Sequence, residues 1–70
     1  MAHIGTRVRH FSTCEQGVVV QVKDDMCLVE YQGQGHVSRT MYRQDEIGYV
    51  ENANTFLYYV NDDGTDKTEG

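Results

Sequence analysis

The chain predicts a nearly all-β domain, and three observations predict it. Apolar and polar residues alternate with a period of two; no window of about 11 or more residues carries the 3.6 period of an amphipathic helix; and glycines or polar clusters interrupt the alternation at short intervals. The 70 residues, 39% of them apolar, make one small domain over 1–60 followed by a short tail, 61–70. A chain of this size buries only about 60% of its unfolded surface and seldom encloses the roughly 300 Å³ or more of an enzyme pocket, so catalysis is not expected.

Taken in order, "TRVRHF" (6–11) reads as a first strand, with Val8 on one face and Arg7 and Arg9 on the other. "STCEQG" (12–17) is a loop that closes on Gly17. In "GVVVQV" (17–22) strict alternation puts Val18, Val20 and Val22 on the core face and Val19 and Gln21 opposite. "KDDM" supplies a polar turn, and the return strand carries Cys27, Val29 and Tyr31 on one face and Leu28 and Glu30 on the other. "GQG" (33–35) turns the chain again, where glycine admits a positive φ cheaply.

"HVSRTMYR" (36–43) is then a fourth strand that groups Val37, Arg39 and Met41 against His36, Ser38, Thr40 and Tyr42. A single helical turn over Gln44–Glu46 feeds a fifth strand at Ile47–Glu51, "NAN" (52–54) breaks the run, and "TFLYYV" (55–60) is a strongly β-prone sixth strand. Tyr58 and Tyr59 are adjacent, so one of them faces inward. No proline is present to protect a sheet edge, so the sixth strand is expected either to add to the sheet or to pair with a second subunit, making a homo-oligomer through 55–60.

The succession "IGTRVRH", loop, "GVVVQVKDDMCLVEY", "GQG", "HVSRTMYRQDEIGYVE" resembles the small SH3-like barrels of the KOW, Tudor and Mind bomb kind over residues 4–51. The likeness lies in an opening Gly-x-x-Val, a glycine-led valine strand, a tight hairpin ending in Val-x-Tyr and a "DEI" corner before the last strand. It implies an SH3-like barrel of five strands, to which 55–60 adds an extra C-terminal strand.

The net charge of −5 is uneven. Asp62, Asp63, Asp66 and Glu69 against Lys67 give the last ten residues −3, which leaves −2 for residues 1–60. So polar an end is expected to be a disordered acidic tail. Cys14 and Cys27 are the two cysteines, and no secretory leader pattern precedes them, so they read as reduced thiols of a cytoplasmic protein. No run is long enough for a membrane helix.

Chemistry-bearing constellations are absent from the pattern. His3, His10 and His36 with the cysteines show no metal-ligand spacing, so neither metal nor cofactor is expected. Cys14 with His10 is the one local nucleophile–base pairing, without an orienting third group. The candidate binding residues lie on the surface: Arg7, Arg9, Arg39 and Arg43, whose planar donor forks suit carboxylate or phosphate, with Phe11, Tyr42 and Tyr49 as aromatic anchors.

The leading expectation is a non-enzymatic module that docks on a larger protein, of the kind a virus or mobile element encodes to occupy a host enzyme. The KOW-like resemblance implies nucleic-acid binding as an alternative, against which the acidic balance argues. A third reading is an oligomer holding a small anionic ligand between subunits.

Overall fold

Alternation becomes a meander. In the structure, a computed structural model that describes residues 1–33, 35–51 and 55–68, β1 (Arg7–His10), β2 (Gln16–Lys23), β3 (Met26–Gly33) and β4 (His36–Arg43) follow one another antiparallel. A 3-10 turn over Gln44–Glu46 leads into β5 (Ile47–Gly48), and β6 (Leu57–Tyr59) completes one sheet in the order β4-β3-β2-β1-β6-β5. The chain is all-β, as expected. The break expected at 52–54, residue 34 of the second turn and residues 69–70 of the tail lie outside the described residues.

Topology forces the sheet to curl. Laid flat, six strands would separate the outermost two by about 24 Å. The link from Arg43 at the end of β4 to Ile47 at the start of β5 can span no more than about 14 Å. The two edges must therefore approach each other, and the sheet curls into a half-barrel.

β6 takes the first of the two alternatives expected for it and adds to the sheet. It is no appendage to a closed set of five strands: it lies between β1, which it pairs antiparallel, and β5, which it pairs parallel. Both edges of Leu57–Tyr59 are taken within the chain. The fifth strand stops at Gly48 rather than Glu51.

The core consists of Val8, Val19, Cys27, Val29, Tyr31, Ile47, Leu57 and Tyr59 with Ala2, and Val22, Tyr42 and Tyr49 pack against it. The face expected for Cys27, Val29 and Tyr31 is the inner one, and Tyr59 is the inward member of its pair. The valines of β2 are a correction. Val19 is buried while Val18 and Val20 are only partly covered, because the pairing with β3 slips between Val19 and Gln21. A bulge there inserts one extra residue, so Val19 before it and Val22 after it both point inward.

Ala2, missed in the sequence, is buried because the side-chain amide of Gln44 holds its backbone. Ala2 N–H donates to Gln44 Oε1 at 3.0 Å, and Gln44 Nε2 donates back to the Ala2 carbonyl at 3.3 Å.

The acidic segment is described as far as Thr68, and there it folds back. Asn61 N–H bonds to the Thr65 carbonyl at 2.8 Å, Gly64 takes a left-handed φ of 88°, and Val60 bridges Asp66. Among the described residues no helix is long and apolar enough to cross a membrane.

Candidate functional site

Strand parity decides where each candidate side chain goes. In β1 it turns Val8 into the core and Arg7 and Arg9 outward. There the acidic hairpin meets them: Arg7 lies 3.7 Å from Asp62, and Arg9 lies 3.6 Å from Asp66 while its Nη2 donates to the Gly64 carbonyl at 2.9 Å. Phe11, just beyond β1, packs edge-on against Tyr58 with centroids 5.1 Å apart.

Arg39 and Arg43 lie on the other flank, across β2 and β3. Arg39 sits opposite Glu30 in the ladder and bonds to its carboxylate at 3.0 Å. Arg43 bonds to Asp45 at 2.8 Å, and its backbone N–H donates to Glu46 Oε2 at 3.0 Å. Each of the four arginines thus faces a carboxylate of its own chain, and the expected single patch is two separated, locally neutralised groups. Partly exposed ion pairs of this kind stabilise by about 0–1 kcal/mol each, so they tune the surface more than they hold the fold.

Tyr42 and Tyr49, expected as contact residues, serve the core. The Tyr42 hydroxyl shares a 2.8 Å hydrogen bond with that of Tyr31, and the Tyr49 ring tilts against Tyr59 at 5.1 Å. Burial, and then the bond to Tyr42, push the Tyr31 phenol well above its ordinary range; burial does the same to Tyr59. Both phenols are held in the neutral form.

His10 Nδ1 accepts from the N–H groups of Ser12 and Thr13 at 3.1 and 3.3 Å, so the ring organises its loop. Cys14 is exposed and Cys27 buried, both as free thiols, and burial raises the Cys27 thiol. Asp63 accepts from both the hydroxyl and the N–H of Thr65, which holds its carboxyl below the ordinary range. Among the described residues no three His, Cys, Asp or Glu side chains gather as a metal site would require. A depression of about 240 Å³ above Gly17 is walled by Arg7 and Glu30, an open dish with both signs of charge.

What sequence reasoning missed is the exposure of the outer face and edge of β4. From His36 to Met41 every residue is exposed, with Val37 at 55% and Met41 at 54%, and the strand has a neighbour on one side only. The grouping of Val37, Arg39 and Met41 on one face was legible in the alternation. That this face is the outer one depends on Tyr42, opposite in parity, reaching Tyr31. Compared with known proteins, the chain matches no family model, no curated protein and no solved structure.

Proposed function

We propose that the chain is a non-enzymatic docking module that engages a larger protein through the outer face and free edge of β4. One observation carries this reading: an eight-residue edge strand, without proline, displays two large apolar side chains to solvent at the margin of a curled sheet. Such an edge is normally shortened, covered or bulged, because it is a ready template for another chain. The opposite margin, β5, is two residues long. A strand already extended and paired along one side has less conformational freedom to lose on binding than an unstructured segment, which favours affinity from a small contact.

The meander, the 3-10 corner and the sheet that bends back on itself are what the SH3-like resemblance implies, and docking is a use such barrels have. The two free thiols suit a reducing, cytoplasmic setting. Nucleic-acid binding fits less well, since 11 acidic residues against 6 basic give the chain a net charge of −5, which opposes approach to phosphate.

The test is affinity purification of the tagged chain from its native extract, with and without nuclease, beside a Val37→Asp/Met41→Asp double variant. The expected result is one protein partner, retained after nuclease and lost in the double variant. Recovery that nuclease abolishes would replace this reading with nucleic-acid binding, and a partner kept by the double variant would remove β4 from the interface.

A further inference from the structure

We propose that β4 binds its partner by strand addition, and that the added strand is an extended segment of another protein in which an acidic residue has an apolar residue two positions away on either side. This rests on the docking reading and specifies its geometry.

Strand parity shows which backbone groups are free. Asp24 and Asp25 form a two-residue loop between the paired residues Lys23 and Met26. In such a hairpin the closing pair exchanges both backbone hydrogen bonds, so Met26 turns its N–H and C=O toward β2 and Cys27, next along, toward β4. Tyr42, opposite Cys27, therefore bonds inward, as do Thr40 and Ser38 opposite Val29 and Tyr31. Val37, Arg39, Met41 and Arg43 have the reverse parity and aim their N–H and C=O groups away from the sheet.

Arg43 supports this assignment, because its N–H meets Glu46 Oε2 instead of β3. Glu46 thereby closes one end of the edge and leaves Val37, Arg39 and Met41 as the open stretch, three donors and three acceptors over about 14 Å.

Charge selects the occupant. β4 carries Arg39 and Arg43 and no acidic residue, in a chain whose net charge is −5. Arg39 spends one N–H on Glu30, and with its side chain 61% exposed the rest of its five-donor fork is open to a carboxylate on an incoming strand.

A second copy of β4 is a poor occupant. Antiparallel pairing that keeps outer faces together matches residues of equal parity, which sets Arg39 opposite its own copy or diagonally beside it. A segment of the pattern apolar-x-acidic-x-apolar would instead set its acidic residue opposite Arg39 and its two apolar residues opposite Val37 and Met41, all on the one outer face.

The probe is a capped nine-residue peptide, Thr-Thr-Val-Thr-Glu-Thr-Val-Thr-Thr, compared with the same peptide carrying lysine in place of the glutamate, each titrated into the labelled 70-residue chain. The expected result is that the Val37, Arg39 and Met41 amides gain protection from hydrogen exchange while those of Ser38 and Thr40, already bonded to β3, do not. The lysine peptide should bind at least about tenfold more weakly. Met41→Pro deletes an outward N–H and leaves the β3 ladder intact, so it should weaken the glutamate peptide by about tenfold relative to Met41→Ala.

Protection gained equally at both parities, or at residues outside β4, would overturn strand addition, and the wild-type exchange pattern decides this even if the proline variant folds poorly. Equal binding of both peptides would overturn the acidic preference. Concentration-dependent protection of the same three amides without peptide would make a second copy the occupant. If the natural partner is lost by Val37→Asp/Met41→Asp but kept by Met41→Pro, docking on β4 stands and strand addition falls; if both variants keep it, both readings fall.

Discussion

A methyl group at residue 17 would arrive 2.7 Å from Val29 Cγ1 and 3.1 Å from both the Glu30 carbonyl and Tyr31 Cδ1. Gly17 stands between Val8 and Tyr31 in the ladder, so its missing side chain is what lets β1, β2 and β3 close over the core. Gly17→Ala is expected to cost about 1–3 kcal/mol through overpacking, read as a lower urea midpoint at unchanged slope. His10 works by a different means, holding a loop through one ring nitrogen. His10→Ala leaves the Ser12 and Thr13 amides without their acceptor and should cost about 1 kcal/mol, with faster exchange at those two amides. Asparagine at position 10, whose carbonyl can accept from an amide two residues on, should recover part of the loss. Unchanged exchange in His10→Ala would show that the loop is held without the ring.

Among the elements, β2 separates what alternation can reveal from what it cannot. Three consecutive valines satisfy either parity, so "GVVVQV" announces a strand and leaves its inward face open. The bulge between Val19 and Gln21 resolves it by letting odd and even positions share the core. Val19→Ala should therefore cost roughly 1.5–3 kcal/mol and Val18→Ala within about 0.5 kcal/mol, the reverse of what strict alternation predicts. Equal losses would place the bulge elsewhere. β3, β4 and the 3-10 turn were legible because each is specified locally: Cys27, Val29 and Tyr31 alternate cleanly, and the polar Gln44–Glu46 sits between two apolar runs. The partners of β6 were not legible, since a position between β1 and β5 depends on contacts across roughly 50 and 10 residues of chain. The same holds for the candidate site. The arginines could be named, but the carboxylates that face Arg7 and Arg9 lie in a segment whose composition reads as solvated.

For the whole molecule, stability at high pH follows from the buried phenols. The folded value of Tyr31 is raised above the unfolded 10.0, by burial first and by its bond to Tyr42 second, and Tyr59 is raised by burial. Their contribution is fully present below pH 10 and is lost as pH climbs above it, because the unfolded chain releases protons that the fold retains. The Cζ shifts of Tyr31 and Tyr59 should thus move only together with loss of the folded circular dichroism signal; ionisation of either ring in an intact fold would contradict this. The strand order also bears on how the molecule is made. A ribosome delivers β1 to β4 first, yet β1 keeps an open side and Ile47–Gly48 has no neighbour until Leu57–Tyr59 emerges. The sheet is finished by inserting its last strand into the middle of the order, so a chain ending at residue 56 should show no dispersed amide spectrum. The nascent polypeptide must then wait, with Val8 and Ile47 uncovered, until Leu57–Tyr59 has been synthesised, and chaperones have that interval in which to hold it.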